Sequence, residues 1–176
     1  MKNPALTLLA ALAALGAAST ALAGHEVSGK GYKETVVPCF NDRELQIDFF
    51  GSWIDTKHAG SGFGGGIGVN YFFHRYLGVG VDGNIADVSN GLWTTSASVI
   101  GRYPLELGHV CISPYALAGG GVQADGTTSG TWHVGGGIEW RATPRFGIYT
   151  EGRYVWTAGS SNEENVRVSL GARVVF

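Results

Sequence analysis

Nine charged side chains recur at alternate positions within otherwise apolar or glycine-rich stretches. They are Asp48, Asp82, Glu139 and Glu151, with Arg102, Arg141, Arg153, Arg167 and Arg173. Carboxylates and guanidiniums on one face can pair into a structural core, line a narrow gated pore, or supply a buried general acid. Near balance of the two signs favours pairing. His133 shares that face and is the one histidine that could act as a base, with Ser52, Thr131 or Ser160 as candidate partners; the alternative is a hydrogen-bonded structural histidine. The spacing completes no nucleophile–base pair, so no catalytic residue is assigned. Histidines 25, 58, 74 and 109 fall in separate connections and form no metal-ligand cluster. Gly64-Gly65-Gly66 and Gly119-Gly120-Gly121 precede no helix, so neither is a phosphate loop and no cofactor is expected.

The elements that must carry these residues read as strands. From Glu44 onward, eight segments alternate with period 2: residues 44–54, 62–73, 76–86, 92–103, 111–123, 131–141, 145–156 and 166–176. In the last, Val166, Val168, Leu170, Ala172, Val174 and Phe176 take one face; Arg167, Ser169, Gly171 and Arg173 take the other. Glycines at i+2 inside the apolar runs exclude helical periodicity. Each segment approximates the ~9–11 residues that a tilted strand needs to cross a bilayer.

The beginning of the chain has another pattern. Lys2, an apolar run over residues 5–18 and Ala21-Leu22-Ala23 describe a secretory signal peptide over residues 1–23, cleaved between Ala23 and Gly24. The alternative, an anchoring helix, fits the small-residue-rich run and its A-x-A ending less well. Residues 24–43, with Lys30 and Lys33, read as a short N-terminal periplasmic extension, and residues 44–176 as the barrel domain. Beyond the first 23 residues, 11 basic side chains face 14 acidic ones, a net charge of −3, which offers no basic stripe for nucleic acid. Twenty-nine glycines in 176 residues and a mean hydropathy of +0.09 suit strands alternating between lipid and an interior better than helical membrane spans.

Connections fit an up-and-down meander. With the N-terminus periplasmic, the outer connections are 55–61, 87–91, 124–130 and 157–165, rich in Gly, Ser, Thr, Asn and Asp. The inner ones are 74–75, 104–110 and 142–144. Trp53, Trp93, Trp132, Trp140 and Trp156 all take the outward register, four at the outer end and Trp140 at the inner end with Tyr71, Phe73, Tyr103, Phe146 and Phe176. Two such girdles flank a lipid-facing band, whereas a soluble sandwich would bury its tryptophans.

The inward register reads as polar and small. It includes Gln46, Asp48 and Ser52; Gly64, Gly66, Gly68 and Asn70; Gly78, Gly80, Asp82 and Asn84; and Thr94, Ser96 and Ser98. The glycines are expected to make room for arginine and glutamate from the opposite wall. The fifth segment, 111–123, is small and apolar on both faces, so its register stays open. Cys39 and Cys111 fall at the same end of the meander in an oxidising compartment, which favours a disulfide worth roughly 4 kcal/mol; the alternative is two free thiols. Joining the last strand to the first puts Arg173 and Asp48 inward at similar depth on neighbouring strands, where a lumenal ion pair is expected, with Glu151 able to share Arg153 or Arg167.

The alternation over 44–176, the Pro114–Val122 stretch PYALAGGGV and the terminal Phe176 resemble the small eight-stranded outer-membrane barrels, a family that includes OmpA-type membrane domains and opacity-type proteins. The resemblance implies an all-β, eight-stranded antiparallel transmembrane barrel in the outer membrane of a Gram-negative-type bacterium. It implies outer-membrane lipid as surroundings and recognition of the C-terminal strand, ending in Phe176, by the barrel-assembly machinery. An envelope protein could engage residues 24–43. No wall-binding domain follows the barrel, so a tether to the wall is not expected. The expected function is non-enzymatic, in envelope structure or surface interaction; the alternatives are a narrow conduit for small solutes and a lipid-modifying enzyme using His133.

Overall fold

The computed structural model describes residues 38–57, 60–88, 91–107, 110–124, 126–158 and 164–176. The signal segment with its Ala23–Gly24 cleavage point, residues 24–37, His25, His58, His109 and Ser160 lie outside the described residues.

Among the described residues nine strands form, all paired antiparallel: β1 (Glu44–Thr56), β2 (Gly60–His74), β3 (Leu77–Ala86), β4 (Leu92–Arg102), β5 (Leu105–Leu107), β6 (Val110–Ala124), β7 (Thr128–Thr143), β8 (Phe146–Thr157) and β9 (Glu164–Val175). Neighbours in sequence are neighbours in space, β4 pairs directly with β6, and β1 pairs with β9. The eight long strands therefore close into a barrel, and closure leaves none of the eight as a sheet edge. The short β5 is an addition to the sequence reading, which left 104–110 as a plain connection. Its three residues pair with Val110–Ile112 at the foot of β6 in the register that β4 already holds with β6, so β5 continues the β4 ladder past Pro104.

Several strands run longer than their periodicity suggests. β6 and β7 stay paired out to Ala124 and Thr128, so the connection expected over 124–130 shrinks to three residues. Gly126 makes that possible by adopting φ +104°, a conformation nearly closed to other residues. Long strands with short turns hold inward side chains at fixed depths.

The fifth expected segment now has a register. Cys111, Ser113, Tyr115, Leu117 and Gln123 are buried, and Ala116, Ala118 and Val122 face out. The five tryptophans are all exposed on the outer wall, from 37 % at Trp53 to 66 % at Trp132. Exposed Phe49, Phe63, Ile67, Val81, Ile85, Val99 and Leu170 make the band between them apolar, as a wall against hydrocarbon must be.

The interior differs from the polar, glycine-rich reading. Phe50, Phe72, Ile100, Tyr115, Leu117 and Tyr149 form a buried cluster across the middle of the lumen. Several glycines accommodate these rings as well as the close backbone of the next strand. A Cβ added at Gly66 would lie 2.6 Å from Phe50 Cζ, at Gly137 2.7 Å from the Tyr115 ring, and at Gly171 2.7 Å from Tyr149 Cε1. Gly135 does serve an arginine, its hypothetical Cβ meeting Arg153 Cγ at 2.9 Å. Inside so narrow a barrel, large side chains on one strand require missing ones on the next. Near the loop end, Ile54, Ala86, Leu92 and Val88 make a second apolar cluster.

Candidate functional site: the lumenal charge network

Two ion-pair clusters occupy the lumen. The one nearer the end that holds Glu44 and Phe176 is a chain of six groups. Asp48 receives Arg173 in a two-pronged contact, Nε to Oδ1 at 2.7 Å and Nη2 to Oδ2 at 2.6 Å. Arg173 Nη1 reaches Glu139 Oε2 at 2.6 Å. Glu139 Oε1 takes Arg141 Nε at 2.6 Å, and Arg141 also pairs with Glu44. Glu44 Oε1 then accepts from Arg102 Nη1 at 2.8 Å. Asn70 Nδ2 donates to Asp48 Oδ2 at 2.7 Å, leaving that carboxylate with three donors. Charged, forked contacts of this kind are among the stronger hydrogen bonds, and burial demands them.

Toward the loop end, four groups form a ring. Arg153 pairs with Glu151 and, at 2.6 Å, with Asp82 Oδ1; Arg167 Nη2 lies 3.1 Å from Asp82 Oδ2 and 4.0 Å from Glu151 Oε1. Ser96 Oγ donates to Asp82 Oδ1 at 2.9 Å, and Tyr115 Oη donates to Glu151 Oε2 at 3.1 Å. Each cluster contains equal numbers of acids and arginines, so each is neutral by itself. Tyr115 and Tyr149 separate them, and the Arg173 guanidinium lies 4.6 Å from the Tyr149 ring centroid.

Glu44 is the site residue that the sequence reading omitted. It shares parity with Gln46 and Asp48, so extending the inward register one step toward the N-terminus would have found it. With Glu44 the lumen holds five acids and five arginines among the described residues, where the alternate-position charges singled out from sequence number four and five.

Glu44 also anchors a cap. Its Oε2 accepts the Asn41 amide at 3.1 Å, Arg102 Nη2 donates to the Asn41 carbonyl at 3.2 Å, and Arg141 donates to the Cys39 carbonyl. Phe40 is 1 % exposed, with its ring centroid 4.1 Å from the Arg141 guanidinium and 5.1 Å from that of Arg102. The Cys39–Cys111 disulfide, with Cα atoms 6.2 Å apart, fastens this segment to the foot of β6. Residues 39–41 therefore close one mouth of the barrel.

His133 meets a partner outside the expected set. Its Nε2 lies 2.8 Å from Ser98 Oγ, whereas Ser52 donates to Asn84 Oδ1 at 2.9 Å. Ser98 and His133 stand on strands β4 and β7 with Gly119 of β6 between them in register. Because Gly119 has no side chain, the two meet across it. Both are buried, and the adjoining cavity of about 20 Å³ has room for about one water. A second cavity of the same volume lies beneath, and Arg153 lines both. Among the described residues, no three His, Cys, Asp or Glu side chains are placed to hold a metal.

No protein-family model matches the chain, and no curated protein does. Solved structures do resemble it. The N-terminal β-barrel domain of Pseudomonas aeruginosa OprF aligns with a TM-score of 0.61 at 18 % identity, over 77 % of this chain and 98 % of that one. Neisserial surface protein A gives 0.58 at 21 % identity, over 74 % and 95 %. The outer-membrane protein OprG of Pseudomonas aeruginosa gives 0.53 at 11 %, over 80 % and 99 %. At these identities the likeness is one of fold, and that fold is the small outer-membrane β-barrel.

Proposed function

We propose that the chain is a non-enzymatic outer-membrane protein, with its N-terminus periplasmic, that acts in envelope structure or surface interaction through a barrel closed to solute flow. One observation carries this reading: two separately neutral ion-pair clusters occupy the lumen, and among the described residues the two cavities that they line hold about one water each. A conduit would need mobile charge or an open file of water. Here each guanidinium is pinned by at least one carboxylate, and removing any partner would strand a buried charge. The exposed tryptophans and the apolar outer band support residence in a membrane, and the lumenal cap at the Glu44 end supports a closed inner mouth. The C-terminal strand ending in Phe176 would then be the segment offered to the assembly machinery.

The lipid-enzyme alternative loses ground on geometry. Ser98 and His133 are hydrogen-bonded, as a nucleophile and base would be, yet they sit inside the wall with no space for a lipid carbonyl. Planar-bilayer recording of the purified full chain tests the closed barrel. Insertion without steady openings is the expected result, and reproducible single-channel steps would overturn it.

A further inference from the structure

The outer wall carries two grooves stacked along one strand. The lower, about 490 Å³, lies at the end of β9 and is lined by Arg43, Arg145, Val174 and Phe176, among others. The upper, a shallow open depression, follows the same strand and is lined by Phe49, Gly51, Ile148, Leu170 and Ala172, among others. The register explains the furrow. Ala172 pairs with Phe49 on β1 and Ile148 on β8, so a methyl floor lies between two larger side chains. One step lower, Val174 lies between Ile47 and Phe146 in the same way. Leu170, 67 % exposed, closes the top. From Val174 to Leu170 the floor runs roughly 13 Å at strand rise.

The charge at the foot complements this shape. Arg43 and Arg145 flank the end of β9 from its two neighbours, about 10 Å apart by strand spacing. Both are exposed, and neither guanidinium has an ion-pair partner among the described residues. Of the acids beside them, Asp42 lines the same groove with its Oδ1 accepting the Arg75 amide, and Glu44 points inward to Arg102 and Arg141. The Phe176 carbonyl accepts the Leu45 amide at 3.2 Å. Arg43 adopts φ +57°, an uncommon conformation for a residue with a side chain. Phe146 and Phe176, both exposed, put this end at the interfacial depth where phosphates lie.

We infer that the β1–β9–β8 wall is a binding site for one glycerophospholipid of the adjacent leaflet, its phosphate held by Arg43 and Arg145 and one acyl chain lying in the Ala172 furrow. The inference rests on the membrane reading above. Guanidinium pairs suit phosphate oxygens, and an acyl chain fills an apolar channel that protein side chains leave empty.

Native mass spectrometry of the full chain in detergent, offered equal phosphatidylglycerol and diacylglycerol of the same chain length, tests it. The expected result is one retained phosphatidylglycerol per chain, preferred about tenfold over the neutral lipid. Arg43→Gln with Arg145→Gln should abolish the preference, and Ala172→Phe should reduce retention of both lipids. Equal retention of the two lipids by the unaltered protein, or an unchanged preference in the double variant, would overturn the site. Unchanged retention in Ala172→Phe would remove the furrow from it. A chain that folds and inserts into vesicles yet shows no preference refutes this site alone; a chain that does not insert refutes the membrane reading as well.

Discussion

Asp48 and Arg173 are register partners on the first and last barrel strands, and their side chains form a two-pronged ion pair directly across the closing seam. The pair joins the two ends of the barrel at the point where closure depends on them. Asp48→Ala leaves Arg173 buried with only Glu139 to oppose it and should destabilise by about 3–5 kcal/mol. Replacing Arg173 by Met strands Asp48 with Asn70 alone, takes one of the two arginines from Glu139, and should cost at least as much. Urea titration in lipid vesicles, followed by the gel-mobility difference between folded and unfolded chain, checks both. A loss below about 1 kcal/mol for either would show the seam to be held by backbone pairing alone.

Glu44 bonds two arginines and the cap, so Glu44→Gln should do more than remove one charge. It leaves Arg102 with no carboxylate and weakens the Asn41 contact, at about 3–5 kcal/mol by the same reasoning. Phe40→Ala removes the ring between Arg102 and Arg141 and should cost about 3 kcal/mol. The loop-end cluster shares none of these partners. Both variants should therefore remain closed in bilayer recordings while the mouth at Glu44 gains protease access near residue 40.

The glycines divide by what surrounds them. A Cβ at Gly119 would lie 1.9 Å from the Ala97 carbonyl oxygen, so Gly119→Ala forces β4 and β6 apart and should cost about 3 kcal/mol. It would also intrude between Ser98 and His133. At Gly152 nothing lies within 4 Å, so Gly152→Ala should be neutral or stabilising by about 0.5 kcal/mol. Parallel unfolding curves of the two variants decide this; equal effects would contradict the packing account.

Alternation made the barrel legible because lipid and lumen impose opposite chemistry on successive residues, and strand parity alone put Asp48 and Arg173 on one face. Parity does not tell how far a strand extends. That hides β5 in a stretch that reads as a plain connection; Glu44, by contrast, opens the first segment on the inward parity and was legible. Nor does parity say which side chain crosses the lumen to meet which. The Ser98–His133 contact depends on Gly119 lying between them in register, a three-strand relation that no single segment carries. Tyr149 shares its inward parity with Glu151 and Arg153 and was legible, whereas the rings of Phe50, Phe72 and Tyr115 that it packs with were hidden among the many aromatics of a lipid-facing chain.

The Cys39–Cys111 bond governs the cap. It closes a sequence separation of 72 residues, for which the chain-entropy account gives roughly 4 kcal/mol. It also holds Phe40 beneath Arg102 and Arg141, because residues 38–43 otherwise reach the barrel through a few polar contacts to those arginines, Glu44 and the turn at Arg75. Cys39→Ser with Cys111→Ser should therefore lower stability by roughly that amount and speed proteolysis around residue 40. The loop-end ring of Asp82, Glu151, Arg153 and Arg167 remains intact in that variant, so bilayer recordings should stay silent. Mass spectrometry of the unreduced protein, expected to find no alkylatable thiol, establishes the bond before the comparison. Protection of the cap equal to that of the unaltered protein would show that the arginine contacts hold it without the disulfide. Steady conductance after its loss would instead make the cap, and not the ion-pair clusters, the barrier to flow.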